Sequence, residues 1–334
     1  MDVVYEMNNG INKVVLFDTN AYRGFVSKSN NSDYSSQIDQ LITCERKKGI
    51  KPIALNYVMM ELISHLSDPT DPHFTNCMTS LCALARHTWN YGDSTEASNN
   101  GINSLLDHEG TIARELIGVN PEQSIKQSKI ISALAAHIYK NAPNITDKEA
   151  LKQISMISTV VNDQESVWVQ NMKSAIALYD PDGADEWTLG KDADKAQKKL
   201  RKYILSDDFR QTYARVIVEN ILKNYDQVVD AEKVKDMSRH IADQFEVPLR
   251  LISTVWSKIA SKRGYTLEHH KEKRGNYIWD FAICFAIGKN HSIDSADMLV
   301  VTDDRRIREA AQETEIPERV MRLDEYLNFV GYSI

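Results

Sequence analysis

Two short apolar runs that each end on acidic residues constrain this chain more than any other feature. Val14-Val15-Leu16-Phe17 stops at Asp18, and Met298-Leu299-Val300-Val301 stops at Thr302-Asp303-Asp304. A run of four apolar residues with no polar alternation suits a strand buried on both faces, as in a parallel sheet covered by helices. In open α/β sheets ligands bind outside the carboxyl ends of the strands. Each run therefore aims a carboxylate at the mouth of the fold.

The elements around these runs repeat an α/β grammar. After the first strand, Ile38, Leu41 and Ile42 mark a helix with Lys47 and Lys48 in its last turn and Gly49 as its stop. Pro52 then introduces a second short strand, Ile53-Ala54-Leu55, and a helix starting near Asn56 carries Glu61. Ser67 to Pro72 is a cluster of breakers and marks a boundary. Beyond it the period is helical, with stripes such as Leu151, Ile154, Ile157 and Val161, and no β alternation. The α/β pattern returns near Gly275: Trp279 to Ile287 reads as a buried helix ended by Gly288. A strand over Met298 to Val301, a helix from Arg305, a strand over Val320 to Leu323 and a last helix over Asp324 to Phe329 follow. The expected fold is an α/β core of residues 1–70 and 271–334, interrupted by an all-α insertion, 71–270. The two outer pieces together match one ordinary domain of about 100–150 residues.

Composition narrows the function classes. A net charge of −7 and a pI near 5.8 argue against a protein that coats nucleic acid along its whole surface, leaving that role to local basic patches. Cys44, Cys77, Cys82 and Cys284 lack CxxC spacing and sit in apolar stretches, as reduced thiols do. The start lacks the basic head and apolar run of a signal peptide, and no stretch is long enough to span a membrane, so a cytoplasmic protein is expected. There is no GxxxxGK[ST], GxGxxG or GxSxG.

Four carboxylates stand out by position. Alone, Asp18 and Asp304 each read first as a cap on the following helix, and Glu61 as a solvated helix acid. Asp280 differs. It lies inside Tyr277-Ile278-Trp279-Asp280-Phe281-Ala282-Ile283, where an unpaired carboxylate would neutralise or find a cation. The nearest cations in the sequence, Arg274 and Lys289, fall at the ends of that helix, so the reading favours a metal shared with Asp18 and Asp304. All-oxygen ligands select hard ions, Mg²⁺ or Mn²⁺, and such ions serve phosphoryl-transfer hydrolysis.

The order VVLFDTN, Glu61 in a helix after the second strand, WDFAICFAIG and LVVTDD resembles the PIN-domain ribonucleases, including VapC-like toxins. The resemblance implies a Rossmann-like core with a central parallel sheet and a Mg²⁺- or Mn²⁺-dependent endoribonuclease site acting on RNA. By motif position Asp18, Glu61, Asp280 and Asp304 would form the acidic cluster, with Asn20 and Thr302 in support. Asp303 would be either a direct ligand or a hydrogen-bonding neighbour. The resemblance further implies a toxin or phage-defence role, an antitoxin-like or regulatory protein masking the site, and a homodimer. The long insertion departs from the compact toxins of that family.

Two basic stretches are interleaved with tyrosines, as in surfaces that neutralise phosphate and stack bases. One runs from Lys195 to Lys202. The other contains Lys262, Arg263, Lys271, Lys273 and Arg274 and leads into the helix of Asp280, which makes it the expected RNA contact. Two other functions compete. A phosphatase or phosphotransferase would use Asp18 as nucleophile, although Asn20 stands where a haloacid-dehalogenase-like enzyme has a second Asp. A non-catalytic RNA- or protein-binding adaptor is the other, and four retained carboxylates speak against it.

Overall fold

The computed structural model describes residues 12–28, 34–89, 101–102, 104–105, 108–118, 120–179, 193–260, 276–289, 292–293 and 296–332. It is a mixed α/β fold, mostly helical, around a small sheet. Four strands run parallel: β1 (Lys13–Phe17) lies at the centre between β2 (Ile50–Pro52) and β6 (Ala296–Val301), and β7 (Val320–Met321) pairs with the far edge of β6. The two residues of β5 (Ser292–Ile293) join antiparallel at the start of β6. Val14, Val15, Leu16 and Phe17, like Met298, Leu299, Val300 and Val301, are buried, as two-faced burial of a parallel sheet requires.

Helices cover the sheet. Near the front of the chain these are α1 (Thr19–Lys28), α2 (Tyr34–Lys47), α3 (Asn56–Ser64) and α4 (Phe74–His87). The first helix beyond the breaker cluster, α4, packs on α1, α2 and α3, so the apolar core continues past residue 70. Then come α5 (His108–Ile117), α6 (Glu122–Asn141) and the 32-residue α7 (Lys148–Tyr179). They are followed by α8 (Ala193–Ile204), α9 (Asp207–Asn224), α10 (Ala231–Gln244) and α11 (Glu246–Ala260). The chain closes with α12 (Asn276–Cys284), α13 (Arg305–Gln312) and α14 (Leu323–Val330), the last ended by Gly331 at φ 77°. No helix among the described residues is long and apolar enough to cross a membrane.

The structure differs from the sequence reading in several places: the helix read over Trp279 to Ile287 is Asn276–Cys284, the strand read over Val320 to Leu323 is Val320–Met321 with Leu323 opening the last helix, and α1 lies where no helix was read. The strand beside β1 is Ile50–Pro52, because Gly49 at φ 67° turns the chain directly into Ile50, and Pro52 is tolerated at this edge. Ala54–Leu55 is a separate strand, β3, paired in parallel with β4 (Ser104–Leu105), so the middle of the chain is not purely helical. Two residues are too few to show a period of two. Leu151, placed in a buried stripe, is exposed on α7, while Ile154 and Val161 of the same stripe are buried.

A buried polar network anchors the start of α1. His87 Nε2 donates to the Glu45 carboxylate at 2.9 Å, Tyr326 OH donates to the same group at 2.7 Å, and Tyr22 OH shares a hydrogen bond with His87 Nδ1 at 3.0 Å. Phe17 packs against Tyr22, His87 and Tyr326. Glu45 and the His87 side chain are fully excluded from water, so each depends on the others for its polar partners. Replacing Glu45 with Ala is expected to cost about 3–5 kcal/mol, the penalty for stranding a buried partner, and Glu45→Gln less because it keeps acceptors. Urea midpoints read this directly, and a loss below about 1 kcal/mol for Glu45→Ala would contradict it.

Candidate active site

The register of the two central strands builds the site. Phe17 pairs with Val301, so Asp18 and Thr302 emerge side by side although 284 positions separate them, and Asp18 N–H donates to Val301 O at 3.0 Å. Thr302 N–H donates in turn to Met321 O of β7 at 2.9 Å. Thr302, fully buried, donates its hydroxyl to Asp18 Oδ2 at 2.5 Å and accepts from the Asp304 N–H at 2.9 Å. Asp18 Oδ1 accepts from the Ala21 N–H at 2.6 Å, so the carboxylate also caps the first turn of α1.

The other two acids arrive on helices. Glu61 of α3 accepts the Thr19 hydroxyl at 2.6 Å, which ties it to the residue after Asp18. Asp280, in the middle of α12, is 9% exposed. Its Oδ2 accepts from Arg306 Nη2 at 2.6 Å. Asp304 caps α13 through the backbone N–H groups of Arg306 (2.7 Å) and Ile307 (3.3 Å), and also takes the Arg306 guanidinium at 2.5 Å. Asp18 and Asp304 thus act as caps and still converge with Asp280.

Electrostatics show how closely these groups lie. Burial pushes Asp18 up to about 7 against the pull of its hydrogen bonds to Thr302 and Ala21, and repulsion from Glu61 and Asp304 adds to the rise. Asp280 is pushed well above the usual carboxylate range, first by burial and then by Asp304, with Glu61 and Asp18 adding to it against the pull of Arg306. Burial also raises Asp304, but the Arg306 guanidinium and the two capping N–H groups outweigh it and hold this acid below the ordinary value. The Arg306 guanidinium meets Asp280 and Asp304 alike, and burial still keeps Asp280 raised.

This arrangement corrects the argument for a metal made from sequence. The buried charge of Asp280 has a protein cation, Arg306, which sequence proximity to Arg274 and Lys289 missed. Arg306 follows Asp304 by two residues, in the first turn of α13, but only the fold, in which α12 and α13 both pack on α11, brings it to Asp280. Among the described residues, no group of three or more His, Cys, Asp and Glu side chains is arranged to hold a metal ion. The donor chemistry nonetheless fits a hard divalent cation. All donors are oxygen, and burial, with repulsion among the acids added to it, leaves two of them toward protonation.

The supporting residues fall unevenly. Thr302 is at the centre. Asn20 is exposed on α1, and its neighbour Thr19 makes the contact to Glu61 instead, a role that sequence reasoning missed. Asp303 is exposed, its Oδ1 3.6 Å from Arg322 Nε. Lys262, Arg263, Lys271, Lys273 and Arg274 lie outside the described residues. Of the first basic stretch, Lys198, Lys199, Arg201 and Lys202 are exposed on α8. His65, one turn beyond Glu61, pairs with Asp71 at 2.8 Å. No family model, curated protein or solved structure matches this chain.

Proposed function

We propose that this chain is a divalent-metal-dependent endoribonuclease on a PIN-like, Rossmann-like core carrying a helical insertion. The observation that carries this reading is the meeting of Asp18, Glu61, Asp280 and Asp304 at the carboxyl ends of β1 and β6, with the Arg306 guanidinium answering only two of them. A protein has little structural reason to gather acids that raise one another's pKa, and perturbed carboxylates of this kind mark functional sites. Mg²⁺ or Mn²⁺ held by Asp18, Asp280 and Asp304 would supply Lewis-acid chemistry, ionising water and withdrawing charge from a phosphodiester.

The residues of the chain do the rest. Asp18 is fixed by the Ala21 N–H and the Thr302 hydroxyl and brings a rigid carboxylate to the mouth of the sheet. Glu61, oriented by Thr19, accepts the proton of the attacking water. Attack by water with the 3′-oxygen as leaving group, rather than attack by the ribose 2′-OH, leaves a 5′-phosphate and a 3′-hydroxyl.

Incubating the full-length protein with labelled single-stranded RNA, with and without EDTA, tests the reading. Mn²⁺- or Mg²⁺-dependent cuts with 5′-phosphate ends are expected. Release of inorganic phosphate from phosphate esters without RNA cleavage would instead favour a phosphatase. Cation binding competes with the proton on Asp18, so the Mn²⁺ concentration giving half-maximal cleavage should fall as pH rises through about 7. Thr302→Val removes a bond to the ionised form and should move that dependence to higher pH by about one unit.

A further inference from the structure

We propose that the Arg23 guanidinium is a phosphate-recognition group at the rim of the acidic cluster, holding a non-bridging oxygen of the RNA backbone beside the scissile position. This rests on the ribonuclease reading and names the residue that would let an acidic site accept a polyanion.

Arg23 lies one turn after Thr19 on α1, so the two share a helix face, and Thr19 is bonded to Glu61. The guanidinium of Arg23 reaches α4, where Nη2 donates to Cys77 Sγ at 3.0 Å. That thiol feels the charge of Arg23 and, beyond it, those of Glu61 and Asp71, in keeping with a guanidinium on the Glu61 side of the cluster. A thiol is a weak acceptor, and among the described residues the buried Arg23 Nε meets no hydrogen-bond partner.

Five other partly buried arginines, among them the three that follow, are paired with acids, whereas Arg308, like Arg23, has a buried Nε without a partner among the described residues. Arg86 is paired with Asp39, Arg250 with Glu246 and Glu313, and Arg306 with Asp280 and Asp304. A half-buried guanidinium that engages a thiol in place of a carboxylate keeps a charge that no acid answers, and its N–H groups other than the buried Nε can meet a phosphate oxygen. An RNA phosphate approaching four carboxylates in a protein of net charge −7 needs a local cation. Arg306 is committed to the acids, and Arg23 is not.

The test uses the full chain with Asp280→Asn, so that a fluorescein-labelled single-stranded RNA is bound without being cut. Adding Arg23→Gln should weaken binding about tenfold and reduce the slope of log K against log salt by about 0.7, the share of one phosphate contact on a single strand. Arg23→Lys keeps the charge and should keep the slope, which separates phosphate binding from a packing role. An unchanged slope with Arg23→Gln, or equal damage from both variants at an unchanged slope, would overturn the proposal.

A second probe distinguishes this failure from failure of the ribonuclease reading. Inorganic phosphate should raise the melting temperature of the parent protein more than that of Arg23→Gln. If the parent cuts no RNA yet shows this Arg23-dependent stabilisation, the nuclease reading falls and the anion site stands. If neither RNA nor phosphate distinguishes the two proteins, the anion site falls.

Discussion

Replacing Asp18 or Asp280 with Asn should reduce divalent-dependent RNA cleavage on the order of 10³-fold, about 4 kcal/mol of lost transition-state stabilisation. The fold should survive, because both side chains sit where an amide fits. In Asp18→Asn the amide oxygen still accepts from the Ala21 N–H or the Thr302 hydroxyl, and in Asp280→Asn the amide oxygen still faces Arg306. Stability should even rise at alkaline pH. The folded carboxyl of Asp18 titrates near 7 against 3.8 for an ordinary one. Between those values the folded protein holds a proton that the unfolded chain has released, so stability falls as pH climbs from about 4 to 7. Asn cannot ionise and escapes that loss, for a gain at about pH 8 on the order of 1–3 kcal/mol. Urea midpoints on the acid and alkaline sides of that window, with cleavage rates at saturating Mn²⁺, measure both effects. Parental cutting rates in both variants would remove these acids from the chemistry, and a variant both inactive and less stable at alkaline pH would mark them as merely structural.

Arg306→Met should be the most destabilising change at the site. The side chains of Asp280 and Asp304 are each 12% exposed and that of Arg306 is 25% exposed, so removing the guanidinium strands two facing acids in a poorly solvated place. The expected cost at neutral pH is about 2–4 kcal/mol, at the lower side of the buried-pair range because the guanidinium is partly hydrated. Asp304 is held below the ordinary carboxylate range in the folded protein. Its contribution is therefore present above the unfolded value, near pH 3.8, and is lost as pH falls through the folded one. The deficit of Arg306→Met should accordingly shrink on acidification. Arg306→Met combined with Asp280→Asn should be more stable than the sum of the single changes, since one of the stranded charges is gone. Additive losses in that double-variant cycle, or a deficit that does not change with pH, would show that Arg306 acts through packing rather than charge.

Much of the site was legible in the chain because strand ends are legible. An apolar run stopping at Asp18 and another stopping at Thr302-Asp303-Asp304 announce two strands and their mouths, and the parallel pairing of β1 with β6 sets Asp18 beside Thr302. Asp280 was conspicuous because a charge inside YIWDFAI has to be answered by something. What answers it was not legible. Arg306 lies 26 positions further on, on another helix, and its partner follows from how α13 packs, which no local pattern encodes. The same holds for Thr19 over Asn20: adjacent polar residues differ by about a hundred degrees around a helix, so the start of α1 decides which one meets Glu61. Asp303 and Asp304 were ambiguous as neighbours on an extended segment, whose side chains alternate in direction; the fold leaves one exposed near Arg322 and brings the other to the acids.

The amino-acid order alone thus determined the two central strands, most of the longer helices and the handful of acids worth watching, since burial and chain direction act locally through periodicity and breakers. Which of those acids share Arg306, which hydroxyls fix them and which side chain Arg23 meets were decided only by the tertiary structure. Those outcomes depend on distances between elements far apart in the chain, and such distances exist only once the core has closed.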